Sequence, residues 1–151
     1  MWRISTKNDD PELIEMCLAL YREDPSPMRD TKKNIQATLS EFRQNPIRGR
    51  AVVLEVVHEI AGYALLASFW SNELGGEICF IDELFVKSNH RGQGQSRALI
   101  AALSNESPLW PTKPVAIDLE VTPQNEKARA LYAKLGFRPA KNAHMRLLLA
   151  Q

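Results

Sequence analysis

The chain has 151 residues, 44 % hydrophobic and 25 % charged, the make-up of one ordinary globular domain with length enough to bury a core. Nineteen Lys and Arg against eighteen Asp and Glu leave a formal charge of +1. That balance argues against nucleic-acid and anionic-membrane partners. No apolar run is long enough to span a bilayer, and Met1-Trp2-Arg3-Ile4-Ser5 does not open a signal peptide. Two distant cysteines, Cys17 and Cys79, read as reduced and partly buried thiols, which points to a cytoplasmic location.

In chain order, Asn8-Asp9-Asp10 offers caps and Pro11 a first-turn proline for an opening helix, with Leu13, Ile14, Cys17, Leu18 and Tyr21 along one face. Pro25-Ser26-Pro27 ends it. A second helix runs from Thr31 to about Gln44 on a stripe of Ile35, Leu39 and Phe42, and Asn45-Pro46 and Gly49 break it. From Ala51 the texture turns β-branched. Strands over 51–57, 60–69 and 78–86, joined at His58-Glu59 and across Asn72 to Gly76, form an antiparallel meander. A helix over 92–106 follows and buries Ala98, Leu99, Ala102 and Leu103. Then come a strand over 115–121, a helix opened by Thr122-Pro123 and closed by Gly136, and a final strand over 145–149. The order predicts an α+β fold with a mixed sheet.

Chemistry concentrates after the third strand. Arg91-Gly-Gln-Gly-Gln-Ser96 joins a strand to a helix N-terminus, where free main-chain N–H groups attract an anion and glycine permits close approach of a diphosphate. Arg91 adds a charge that can meet a phosphate. Gly-x-Gly turns often serve only to tighten a connection, so the loop alone is weak. A P-loop would need Gly-Lys-Ser/Thr, which is absent, and the dinucleotide fingerprint would need glycine where Arg97 stands.

Downstream lies Asn125-Glu-Lys-Ala128-Arg-Ala-Leu-Tyr132-Ala-Lys-Leu-Gly136-Phe137. Together the two segments resemble the GNAT superfamily of acyl-CoA N-acyltransferases. Its pattern is Gln/Arg-x-x-Gly-x-Gly/Ala after a strand, then Asn-x-x-Ala-x-x-x-Tyr-x-x-x-Gly-Phe on a later helix. The resemblance spans about Ala51 to Phe137, and the departure is Ser96, where the family has Gly or Ala.

The resemblance implies a GNAT-like mixed, mostly antiparallel sheet flanked by helices on both faces, in one domain over 1–151. It implies acetyl-CoA as acyl-donor cosubstrate, no metal, and transfer to a primary amine of a small molecule or peptide. Leu84, Phe85 and Val86 would offer main-chain groups to the pantetheine arm. Arg91, Gly92, Gln93, Gly94, Gln95, Ser96 and Arg97 would wrap the diphosphate. Asn125 would meet the arm from the other side, and Tyr132 would lie near the sulfur. An ammonium must lose a proton before it attacks, so a carboxylate is needed. Asp82 and Glu83 alternate on their strand. In the family the base commonly shares a face with positions 80, 82, 84 and 86, which favours Asp82 over Glu83. The structural alternative for either is a solvated or ion-paired carboxylate, and for Tyr132 a ring packed beside Leu131 and Leu135.

The family also places its acceptor site near Tyr21, Glu23 and Met28, while Trp70 lines either a pocket or a packed edge. His58, His90 and His144 show no metal-ligand spacing and read as surface residues. A non-catalytic acyl-CoA sensor is the competing function, and a homodimer stays open.

Overall fold

The computed structural model describes residues 1–24, 32–141 and 144–149. The helix end at Pro25-Ser26-Pro27, the start at Thr31 and the acceptor-side Met28 lie outside the described residues. The chain divides into two compact units, Met1–Glu120 and Val121–Gln151.

The first unit carries five strands, β1 Trp2–Ile4, β2 Gly49–Val56, β3 Glu59–Ser71, β4 Gly76–Val86 and β5 Ala116–Leu119. Three helices accompany them, α1 Asp10–Glu23, α2 Lys32–Gln44 and α3 Gln95–Leu103. The sheet order is β1-β2-β3-β4-β5, antiparallel through β4, with β5 parallel to β4. The parallel step needs a crossover, which α3 supplies.

Alternation along the strands sorts the two faces. Ala51, Val53, Tyr63, Leu65 and Phe85 pack with Leu13, Ile14, Met16 and Cys17 of α1 and Ile35 and Leu39 of α2. The residues between them, Val52, Leu54, Ala64 and Leu66, are fully buried on the opposite face. That face belongs to α3. Trp2 stands opposite Leu54, and its indole N–H donates to the Gln95 carbonyl at 2.9 Å. Leu99 and Leu103 are fully buried. Each such leucine contributes about 1.5–3 kcal/mol by leaving water. The fold is α+β with a mostly antiparallel sheet and helices on both faces.

Several boundaries differ from the sequence reading. Strand β1 went unread because three residues are too short for a pattern. The β2–β3 connection is Val57-His58, flanked by the pair Val56 and Glu59. Both turn residues have positive φ, +46° and +65°, as the twist of a two-residue hairpin demands. Helix α3 begins at Gln95, not at Gly92, because Gly92 and Gly94 hold φ of +75° and +80°. The strand expected over 115–121 shortens to Ala116–Leu119.

In the second unit, α4 Glu126–Lys134 starts later than Thr122-Pro123 suggested, because Asn125 is the cap. Gly136 ends the helix at φ +97°, as expected. Residues 144–149 form no strand. Their apolar run carries β propensity, but a strand exists only when paired.

Candidate functional site

Strand β4 organises the first unit's candidate residues. Its register against β3 slips between Leu65↔Glu83 and Leu66↔Ile81, so Asp82 is the extra residue of a β-bulge. Alternation is therefore broken. Phe80 stands opposite Ala67 and Glu83 opposite Leu65, both on the α1 face, whereas Leu84 and Val86 pair with Ala64 and Gly62 on the α3 side. Positions 80, 84 and 86 do not share a face, and the argument that favoured Asp82 by facing does not hold. The bulge hands the α1-side position to Glu83. Asp82 itself is exposed.

At the same place β4 loses its other neighbour. Pairing with β5 ends at Ile81↔Leu119, so among the described residues 82–86 bonds to a strand only on the β3 side. The Lys87 N–H donates to Ala61 on β3 at 2.8 Å. Main-chain groups alternate in direction, so the N–H and C=O of Leu84 and Val86 point to the open edge. Arg91 Nε donates to the Val86 carbonyl at 2.5 Å, which leaves the Val86 N–H as a donor on that edge.

Six residues on, the chain turns through Gly92 and Gly94 into α3. Gly94 is the N-cap in the left-handed region, and no side chain caps the helix. Ala98 is the first amide to close, onto the Gly94 carbonyl at 2.9 Å. The N–H groups of Gln95, Ser96 and Arg97 thus project from the helix start with its positive dipole end behind them. A Cβ at Gly92 or Gly94 would meet nothing within 4 Å, so the surroundings of both are open to a ligand. Ser96 occupies the first turn without disturbing it.

Arg91 is already engaged by protein groups. Its NH2 group donates to both oxygens of Glu23 at 2.9 Å, and its guanidinium carbon lies 5.2 Å from the centre of the Phe85 ring. The side chain braces the end of α1 against β4. The Gln93 amide donates to the Asn89 carbonyl at 3.2 Å. Before it, His90 is not a surface residue: its side chain is 15 % exposed, and Nε2 lies 3.7 Å from Glu59.

Glu83 is held next to the bulge by two phenols. Tyr63 Oη donates to Oε2 at 2.7 Å and Tyr21 Oη to Oε1 at 2.8 Å. Burial, then the Glu83 charge and Cys17, push the Tyr63 phenol well up, and burial pushes the Cys17 thiol up to about 12. Sequence reasoning missed Tyr63. Its only signal was a phenol amid apolar strand residues, which packing alone explains. Trp70 is exposed at the far end of β3.

The second unit holds Asn125 and Tyr132. Asn125 Oδ1 accepts from the Ala128 N–H at 3.1 Å, so its carbonyl is committed to capping and its amide N–H groups are the ones left to bind a ligand. Past the helix end, Phe137 N–H reaches the Tyr132 carbonyl at 3.0 Å and Gly136 N–H that of Ala133 at 3.1 Å, a Schellman cap. The Tyr132 and Phe137 rings meet edge to face at 5.6 Å. Burial raises the Tyr132 phenol, which keeps it protonated near neutrality. No group of three metal-ligating side chains occurs among the described residues, and none of their helices is long and apolar enough to cross a membrane.

Strand β4 thus bulges, outruns its pairing with β5 and runs into a glycine-turned helix start. The family model for the acetyltransferase (GNAT) family matches residues 14–137, and the chain belongs to that family. No curated protein sequence matches it. Among solved structures, a possible acetyltransferase from Clostridium difficile 630 superposes with a TM-score of 0.81 at 16 % identity, covering 100 % of this chain and 98 % of that one. The ribosomal-protein-alanine N-acetyltransferase of Brucella melitensis biovar Abortus 2308 gives 0.71 at 20 % identity, with 99 % of each chain covered. A predicted acetyltransferase with acetyl-CoA from Clostridium acetobutylicum gives 0.76 at 19 %, covering 97 % and 95 %. At these identities the likeness shows the fold. Family membership makes acetyl transfer the general chemistry and acetyl-CoA the donor of the class.

Proposed function

We propose that the protein is an acetyl-CoA-dependent N-acetyltransferase acting on a primary amine of a small molecule or peptide by direct attack. The observation that carries this reading is the coincidence on β4 of the bulge, the open edge over 84–86 and the glycine-turned start of α3. The edge suits an extended pantetheine arm bound like an added strand. The three free amides at the start of α3 suit the diphosphate. Arg91 supports the loop through Glu23 and Val86 rather than by a phosphate contact of its own.

In the proposed reaction the carboxylates at the bulge take the amine proton, directly or through water. Glu83 is the favoured acceptor, because two phenols fix it, and Asp82 is the second candidate. The amine nitrogen bonds to the thioester carbon, and the Val86 N–H stabilises the oxyanion. Collapse breaks the C–S bond, and Tyr132 returns a proton to the departing sulfur. The family resemblance supports that role for Tyr132.

Two measurements test the reading. Calorimetric titration should show acetyl-CoA binding and a raised melting temperature, since a ligand of the folded state stabilises it. A panel of polyamines, aminoglycosides, amino acids and peptides, followed by thiol release, should yield an acceptor. Glu83→Gln should then lower kcat at least about tenfold and Asp82→Asn less, general-base catalysis being worth about 10²–10⁴. No binding at millimolar acetyl-CoA refutes the proposal. Binding without turnover across the panel favours a sensor instead.

A further inference from the structure

The α1 face of the sheet holds a side-chain cluster around Glu83 whose other members the reaction leaves unassigned. Cys17 and Tyr21 come from α1, Tyr63 from β3 and Glu83 from β4. Tyr63 and Cys17 are fully buried. Each Glu83 oxygen receives one phenol from a different element, at 2.7 Å from Tyr63 and 2.8 Å from Tyr21. These are ordinary lengths for O–H donors, and bonds of this kind strengthen when the acceptor is ionised. The neighbours do not compete for the negative charge: burial holds both the Tyr63 phenol and the Cys17 thiol in their protonated forms. Next along β4 from Glu83, the Phe85 ring carries the Arg91 guanidinium carbon 5.2 Å from its centre.

The bulge makes this arrangement. Under regular alternation from Phe80, Asp82 would meet the tyrosines and Glu83 would face α3. With Asp82 as the extra residue, Glu83 lies opposite Leu65 and beside Tyr63. A carboxylate has about four lone-pair sites. Two phenols occupy two of them and stop the group turning, and with the Cys17 thiol as a further hydrogen-bonding neighbour at least one site is left for an amine or a water.

We propose that Tyr21 and Tyr63 are positioning residues for amine acetylation, fixing both oxygens of Glu83 so that it meets the acceptor in a single orientation. The inference rests on the reading of Glu83 as proton acceptor. The phenols exchange no proton with the substrate. The proton passes from the amine to Glu83 alone.

The chain has three tyrosines, so each can be followed spectroscopically. The intensity ratio of the tyrosine Raman doublet should report two donor phenols in the wild type, with no amine substrate required. It should shift toward fewer donors in Glu83→Gln, which keeps one acceptor oxygen instead of two. Kinetics use the panel amine that releases thiol fastest. Tyr63→Phe should lower kcat about tenfold, the scale of one hydrogen bond to a charged group. Tyr21→Phe should lower it less, and acetyl-CoA affinity by calorimetry should be unchanged in both. In a Glu83→Gln background neither change should cost anything more.

Full kcat in both tyrosine variants overturns the proposal, and so do losses that multiply fully with Glu83→Gln. Should Tyr63→Phe fail to fold, Tyr21→Phe, whose ring is only half-buried, decides by the same criteria. If Glu83→Gln keeps full kcat, the fault lies in the proton-acceptor reading. If Glu83→Gln is inactive while both tyrosine variants are normal, only the positioning role fails.

Discussion

Tyr132 carries two roles on different atoms. Its carbonyl closes the end of α4 by accepting from Phe137, and its ring packs on Phe137. Neither contact uses the hydroxyl. The phenol, kept protonated by burial, is the one proposed donor to a thiolate whose ordinary pKa is about 8.5. Tyr132→Phe should therefore leave the helix cap, the melting temperature and acetyl-CoA affinity nearly unchanged. It should lower kcat at least about tenfold, below the usual range for general acids because thiolate is already a fair leaving group. Wild-type kcat in that variant would reduce Tyr132 to its structural part. The same division explains why a Tyr-x-x-x-Gly-Phe run is hard to interpret by itself: a Schellman cap alone accounts for the glycine and for the packed ring pair.

Among the elements, α3 and its approach are the most exposed to a single change. Gly94 sits at φ +80° with open space around the position of a Cβ. Gly94→Val would thus strain the backbone without a clash, at about 1–3 kcal/mol. The melting temperature should fall by a few degrees (about 2–4 °C per kcal/mol at this size) with the fold intact. Acetyl-CoA affinity should fall at least about tenfold by titration calorimetry, because the branched side chain would stand where the diphosphate must approach. Unchanged affinity would move the diphosphate away from this loop. The loop was legible in the sequence because glycine is the residue that takes left-handed φ cheaply, and it stands just before a helical stripe. Helices α1 and α2 and the β2–β4 meander were legible from hydrophobic period. The bulge was not: hydropathy reports which residues are buried, and Asp82 inserts one exposed residue without altering the apolar pattern around it. Tyr21 and Tyr63 were hidden for a related reason, since a phenol pointing at a carboxylate and one lost in a core look alike in sequence.

Across the whole first unit, the chain start is tied to the sheet by ions. Arg3 on β1 donates to both oxygens of Asp9 at 2.8 and 2.9 Å and to Glu55 on β2 at 2.5 Å. The Arg3 guanidinium, with help from Thr6, holds the Asp9 carboxyl well below the usual carboxylate range against the opposing effect of burial. A depressed folded-state pKa contributes stability above the unfolded value of about 3.9, and that stability is lost as pH falls through and below it. Asp9→Asn should accordingly melt lower than wild type near neutrality, and the gap should narrow as pH falls from about 4 to about 2. A gap of constant size over that range, read by scanning calorimetry, would mean that the ion pair is not what stabilises this corner.

One residue of surplus contour has a consequence beyond catalysis. On either side of Asp82, every β4 side chain lies on the face it would occupy in a regular strand one residue shorter: Ile81 opposite Leu66, Glu83 opposite Leu65. The insertion is silent for the core. What it changes is arc length, because β4 must travel farther than β3 over the same span and so bends. The parallel ladder with β5 stops at Ile81, just before the extra residue. That the ladder ends there, leaving the edge over 84–86 unpaired among the described residues, is thus a matter of mismatched lengths in adjoining strands rather than of any side chain's identity.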